Sequence, residues 1–134
     1  MNNINMQIKN MNLDQLETLG YYCYRYAKRR GLLKNKNIKN IVEEIAYESN
    51  EILLACENNI FANRENERLL ANTFDQSKDW ENEYIKIKDS VQTECYDVIF
   101  RCVGLLIALD ADIVNGMKAK LLYNNTYRKD NHEK

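Results

Sequence analysis

The sequence contains no proline and only four glycines among 134 residues, and this scarcity of turn residues constrains the fold more than any other feature. A β-rich fold of this length needs many tight turns, which glycine and proline usually supply. The length suffices for one domain with a core and not for two. We therefore expect a single all-α domain over residues 1–134, with residues 1–11 and 129–134 flexible.

Apolar periodicity predicts where the helices lie, and the expected architecture is a helical bundle of four to five helices with antiparallel neighbours. The segment from Val91 to Leu109 is apolar almost all round towards its end, which is typical of a central, buried helix. The other helices are expected over residues 12–30, 37–58 and 112–128, with weaker patterns around 65–71 and from about residue 78.

Composition and charge exclude some classes of function. The formal net charge is −1 with both signs well represented, which argues against a general nucleic-acid partner. No run approaches 18 apolar residues and no signal peptide is recognisable, so we expect a cytoplasmic protein without a membrane partner. The four cysteines form no C-x-x-C pair, and the apolar segments around them predict reduced thiols in the core.

Two short carboxylate pairs are the strongest indication of chemistry. Glu48-x-x-Glu51 and Glu94-x-x-Asp97 each place two acids one helical turn apart on the same face. Like charges held that close repel each other unless something compensates them. A hard divalent cation with a preference for oxygen ligands, Mg²⁺ or alternatively Mn²⁺, would do so. If the two helices are neighbours, the four acids would form one metal site.

Purely structural roles for these acids are also compatible with the sequence. Glu44 extends the first pair into a stripe that could be a solvated helix face. On the central helix, Asp97 could form a buried ion pair with Arg101 four residues later. That pairing would leave Glu94 unexplained, although a carboxylate on a mostly apolar helix is costly without a partner.

Basic and aromatic residues supply candidate substrate contacts. Lys120, Asn124 and Arg128 follow one another at i, i+4 and i+8, so they share a face suited to phosphate oxygens. Basic residues near a helix C-terminus are also favoured simply by the macrodipole. Trp80, Tyr84 and Tyr47 are candidates for an aromatic slot, although bulky aromatic residues at helical spacing more often belong to a core.

The order of these motifs resembles that of the all-α nucleoside-triphosphate pyrophosphohydrolases, the MazG-like and dimeric dUTPase-like superfamily. The resemblance lies in Glu48-x-x-Glu51 followed by Glu94-x-x-Asp97 and by the basic last helix, over about residues 38–132. It implies a MazG-like bundle and Mg²⁺-dependent hydrolysis of a nucleoside triphosphate to the monophosphate and pyrophosphate. The four acids would hold the metal, and Glu48 or Glu51 would act as the base.

The resemblance also implies substrate contacts and assembly. Lys120, Asn124 and Arg128 resemble the family's phosphate-binding residues, and a homodimer or a dimer of dimers is expected. The run of tyrosines between Tyr21 and Tyr26 points the same way, since one small bundle can hardly bury it. Tyr47 stands where the family has a second glutamate, so a register using Glu44 and Glu48 remains open. A non-catalytic helical interaction or regulatory protein with a vestigial metal site is the alternative function.

Overall fold

The computed structural model describes residues 3–31, 37–76 and 78–128, and these contain seven helices and no strand. The prediction of an all-α protein is confirmed, whereas the expected number of four to five helices was too low. In chain order the helices are α1 (Asn3–Asn10), α2 (Asp14–Arg29), α3 (Ile38–Glu57), α4 (Arg64–Thr73), α5 (Trp80–Ile85), α6 (Val91–Ala108) and α7 (Ile113–Thr126). None of the helices in these ranges is long and apolar enough to cross a membrane.

Short polar residues set several helix ends. The side chains of Asn37, Asn63 and Asp112 each accept a backbone N–H from the first turn of the helix that follows, at 2.9, 2.7 and 3.1 Å. Such caps satisfy backbone donors that have no partner within the helix. Just beyond α3 and α6, Asn59 and Asp110 take the left-handed conformation, with φ of 58° and 55°. Asn and Asp tolerate that region better than most residues, so the chain turns there without glycine.

The helices form two compact units. The first contains α1, α2, α7 and the last turns of α6. Within it, α1 is tied to α7 by side-chain hydrogen bonds from Asn5 Nδ2 to Thr126 Oγ1 (3.1 Å) and from Asn125 Nδ2 to Asn5 Oδ1 (2.8 Å). Ile8 on α1 is 7% exposed and belongs to the core of this unit.

Helix α1 over Asn3–Asn10 was not predicted from the sequence, which gave residues 1–11 as flexible. The asparagine-rich composition obscured the helix, because its anchoring comes from contacts with α7 some 110 to 120 residues later in the chain. Residues 129–134, for which flexibility was also expected, lie outside the described residues.

The second unit contains α3, α4, α5 and α6 as far as Cys102, and it carries both acidic motifs. The loop after α3 is fixed to the start of α6, because the Gln92 side chain exchanges two hydrogen bonds with the backbone of Ala62, at 2.8 and 3.1 Å. Val91 N–H also donates to Ile60 C=O at 2.9 Å. The end of α3 thus lies beside the beginning of α6, as two antiparallel helices require.

Candidate metal centre

Three of the predicted acids come together between α3 and α6. One carboxylate oxygen from each of Glu48, Glu94 and Asp97 can be chosen so that all three lie within 4.8 Å of one another. Glu94 and Asp97 are one turn apart on α6, and Glu48 faces them from the antiparallel α3. The sequence predicted that all four acids, including Glu51, would converge; the structure groups these three, and Glu51 is not among them.

The electrostatics of these acids show that their charge is poorly compensated. Glu94 is only 9% exposed, and burial raises the pKa of its carboxyl group. The charges of Asp97, Glu48, Glu51 and Asp89 raise that pKa further, in that order. Burial and then Glu48 raise the pKa of Asp97, while Arg101 partly offsets this. Three carboxylate oxygens that repel one another are a donor set suited to a hard divalent cation.

Arg101 contacts two residues that the sequence did not indicate as its partners. Its guanidinium Nη1 lies 3.3 Å from Glu44 Oε2 and its Nη2 lies 3.1 Å from Glu48 Oε1, both on α3. The structural alternative from the sequence paired it with Asp97, four residues earlier on the same helix, and the charge of Arg101 does lower the pKa of Asp97. Antiparallel packing instead directs the long arginine side chain across to the neighbouring helix. Periodicity within one helix carries no signal for such a contact.

Three glutamates of α3 differ in the groups that they interact with. Glu44 is bound to Arg101, Glu48 is shared between Arg101 and the three-carboxylate group, and Glu51 raises the pKa of Glu94 by its charge. Glu51 is close enough to Glu94 for an electrostatic effect, but the group of three within 4.8 Å does not include it. Glu48 belongs to both registers considered from the sequence, and among these three glutamates it is the member of the three-carboxylate group.

An aromatic cluster borders these acids. Trp80 and Tyr84 stack with ring centroids 5.3 Å apart, and Phe74 meets Trp80 edge-on at 5.0 Å. Trp80 Nε1 donates a 2.7 Å hydrogen bond to the Leu70 carbonyl group. Burial raises the pKa of the Tyr84 hydroxyl group, and the charges of Asp97 and Glu94 raise it further. Tyr84 is therefore the member of the cluster shown to lie near the carboxylates.

The remaining candidates lie in other surroundings. Tyr47 is 66% exposed on α3. Lys120, Asn124 and Arg128 belong to the first unit, the first two on α7 and Arg128 just beyond its end. Lys120 and Arg128 are exposed, while the Oδ1 atom of Asn124 is buried without a hydrogen-bond partner. An unpaired buried acceptor is costly, so this atom would gain from a donor such as a bound water or ligand hydroxyl group.

A cleft of about 740 Å³ lies along α4, and it contains none of the predicted site residues. Its lining consists of Asn63, Arg64, Glu65, Glu67, Arg68 and Tyr96. Its two acids already have partners, since Glu65 pairs with Arg68 and Glu67 accepts a hydrogen bond from Tyr96. The three-carboxylate group therefore remains the stronger candidate for chemistry.

Comparisons of the chain with protein-family models, with curated proteins and with solved structures find no significant match. Any function assigned to the chain therefore depends on the residues and geometry described above.

Proposed function

We propose that this chain is a Mg²⁺-dependent nucleoside-triphosphate pyrophosphohydrolase that converts an NTP or dNTP into the monophosphate and pyrophosphate. The observation that carries the proposal is the convergence of Glu48, Glu94 and Asp97 within 4.8 Å from two antiparallel helices. The proposal includes a MazG-like arrangement of the helices, a cytoplasmic location and a homodimer or dimer of dimers. Its family basis is the resemblance of the motif order, since no relative supports it independently.

In the proposed site the carboxylates have two roles, metal binding and general-base catalysis. Glu48, Glu94 and Asp97 would hold Mg²⁺, or Mn²⁺ in its place, with Glu51 completing the set. The bound cation would supply charge neutralisation for the phosphates and a lowered pKa for a coordinated water. Glu48 or Glu51 would accept the proton as the water oxygen bonds to the α-phosphorus. The bond from that phosphorus to the bridging oxygen breaks, and the electron pair leaves with pyrophosphate.

Substrate contacts are the second part of the proposal. Lys120, Asn124 and Arg128 would hold the β- and γ-phosphates, where charge develops on the leaving pyrophosphate. Trp80 and Tyr84 would contribute to the slot for the base, and Tyr84 is supported by the influence of Glu94 and Asp97 on its hydroxyl group. Two stacked aromatic side chains would suffice to bind a base, because stacking does not depend on which base is present.

The direct test is a turnover screen with canonical and modified nucleoside triphosphates in the presence of Mg²⁺. We expect equal amounts of monophosphate and pyrophosphate, without the diphosphate and inorganic phosphate that β–γ cleavage would give. Glu94→Gln should lower the activity by roughly 100-fold or more, and Glu81→Gln, on the same unit but outside the acid group, should not. Absence of pyrophosphate with every triphosphate would contradict the proposal.

One observation favours the non-catalytic alternative. The ion pair of Arg101 with Glu48 partly neutralises the acids without any metal, as a structural cluster would require. In a vestigial site Mg²⁺ and Mn²⁺ would leave the melting temperature unchanged. A cation that binds only the native state must raise it. Melting curves with and without each cation therefore separate the two functions before any substrate is known.

A further inference from the structure

Arg101 bears directly on the proposed metal site, because its guanidinium joins two glutamates on successive turns of α3. Nη2 lies 3.1 Å from Glu48 Oε1, and Nη1 lies 3.3 Å from Glu44 Oε2. Glu48 is also one of the three carboxylates within 4.8 Å of one another. One carboxylate therefore serves both the guanidinium and the group of acids proposed to bind the cation.

The two glutamates differ in their surroundings. The Glu48 side chain is 19% exposed, whereas those of Glu44 and Arg101 are 39% and 35% exposed. Charge on the less exposed Glu48 gains more from a neutralising partner, because water screens it less. With Arg101 in contact, Glu48 is also a poorer ligand for a divalent cation, since the guanidinium repels the cation and occupies one carboxylate oxygen.

We propose that Arg101 is an internal counter-ion that competes with the divalent cation for Glu48, and that Glu44 retains the guanidinium when Glu48 turns to the cation. This inference rests on the proposed function, because it concerns the same metal site. A charged group stranded without a partner is costly when partly buried. The second partner, Glu44, removes that cost, so Glu48 can be released without leaving Arg101 unpaired. The contact between Arg101 and Glu48 lowers the affinity of the site for a free cation, and the contact between Arg101 and Glu44 limits that loss.

Titration calorimetry with Mg²⁺ and Mn²⁺ on the full chain tests this without any turnover. Arg101→Gln should bind each cation roughly five- to ten-fold more tightly than the wild type, the size expected for removing a unit charge near a divalent cation at a partly exposed site. Arg101→Lys keeps the charge and should stay near the wild-type affinity. Arg68→Gln is the matched control, because Arg68 pairs with the exposed Glu65 and should have no effect.

The role of Glu44 is tested by a double-mutant cycle. Glu44→Gln leaves Glu48 as the remaining glutamate in contact with Arg101, so the guanidinium should compete harder and the cation should bind more weakly. In the Arg101→Gln background the same substitution can no longer act on Glu48 through the guanidinium, and its effect should be smaller. A difference between the two backgrounds measures the coupling directly. Equal effects would show that Glu44 does not act through Arg101.

The outcomes separate this inference from the proposed function. Tighter cation binding by Arg101→Gln than by the wild type supports the counter-ion role. Binding by that variant but not by the wild type would support the counter-ion role and overturn the proposed Mg²⁺-dependent function. If the wild type binds the cation and Arg101→Gln binds it equally or more weakly, Arg101 orients Glu48 and the counter-ion role is overturned while the metal site survives. If neither protein binds either cation, both the proposed metal site and the counter-ion role of Arg101 are wrong. Far-UV circular dichroism and melting curves verify that each variant is folded.

Discussion

The rings of Trp80 and Tyr84 lie nearly parallel, with an interplanar angle of 5° and centroids 5.3 Å apart. Trp80 is also fixed to α4, since its indole N–H donates to the Leu70 carbonyl group at 2.7 Å. Tyr84, at the other end of the stack, lies within the electrostatic influence of Glu94 and Asp97. The stack thus connects the packing of α4 and α5 with the surroundings of the acids, and one face of Trp80 is already covered.

Trp80→Phe should destabilise the protein by about 1–2 kcal/mol, because it removes the hydrogen bond to Leu70 and part of the stacking surface. Tyr47→Phe is a suitable control, since Tyr47 is 66% exposed and its substitution should change stability by less than about 0.5 kcal/mol. Urea denaturation measures both. Equal stability of Trp80→Phe and the wild type would show that the contact with Leu70 contributes nothing in solution.

Glu94→Gln and Asp97→Asn should each lower kcat by roughly 100-fold or more, since each removes a charged oxygen ligand from the proposed cation. In EDTA, Glu94→Gln should nevertheless be at least as stable as the wild type. Burial and the neighbouring charges make the ionised Glu94 unfavourable, and a neutral side chain relieves this. Glu51→Gln is expected to lower kcat as well, with a smaller gain in stability because Glu51 lies outside the closest group.

Enzyme assays and chemical denaturation of the same protein samples give both quantities. Glu83→Gln serves as the control, because Glu83 forms an exposed pair with Lys86 and should affect neither. Full activity of Glu94→Gln would rule out this metal site. A large loss of stability in EDTA would instead mean that the ionised Glu94 has a stabilising partner.

The raised pKa values of Glu94 and Asp97 make the stability of the metal-free protein depend on pH. In the unfolded chain these groups lose their protons near the ordinary values of 4.5 and 3.8, whereas the native state keeps them to higher pH. Between the ordinary and the raised pKa values the native state binds more protons, so the free energy of unfolding falls as pH rises. Below the ordinary values both states are protonated and the two groups contribute no pH dependence.

Denaturation in EDTA across this pH range, for the wild type and for the Glu94→Gln/Asp97→Asn double variant, isolates these two groups from the other carboxylates. We expect the wild type to lose stability relative to the double variant as pH rises through the window. Saturating Mg²⁺ should reverse the trend, because the cation binds the ionised carboxylates and competes with protons. Parallel curves for the two proteins would mean that neither pKa is raised.

The sequence predicted the helices with the clearest periodicity. It did not predict the features that depend on contacts between residues far apart in the chain. The acid spacings at Glu48-x-x-Glu51 and Glu94-x-x-Asp97 sufficed to predict a shared face within each helix. The cross-helix pairs of Arg101 depend on how α3 and α6 align, which no periodicity within one helix encodes. Helix α1 was missed for the same reason, since its stabilising contacts lie on α7.

A further prediction concerns assembly. Tyr21, Tyr22 and Tyr26 on α2 are 48%, 66% and 48% exposed, which is a high exposure for large aromatic side chains. We expect a homodimer or a dimer of dimers that covers part of this surface. Light scattering at micromolar concentration should report the mass of two or four chains, and Tyr22→Glu should shift it towards one. A wild-type monomer at that concentration would contradict the prediction.

The last prediction concerns Lys120 and Arg128, which we propose to bind the β- and γ-phosphates. Lys120→Ala and Arg128→Ala should each weaken triphosphate binding by roughly ten- to a hundred-fold, the usual cost of losing a charge-assisted hydrogen bond. Monophosphate binding should change far less, because that ligand lacks the phosphates concerned. Calorimetry with an NTP and its NMP, with Ca²⁺ replacing Mg²⁺ to suppress turnover, measures both affinities.

Lys118→Ala is the matched control for this helix. Lys118 lies two residues from Lys120, but its Nζ donates to the Lys9 carbonyl group at 3.0 Å and so has a structural partner within the first unit. Its removal should alter the melting temperature slightly and leave both affinities unchanged. If Lys120→Ala and Arg128→Ala weaken NTP and NMP binding by the same factor, the positive charge acts only through the general field of the protein. The proposal that these residues recognise the triphosphate tail would then be wrong, while the metal site on α3 and α6 would be unaffected.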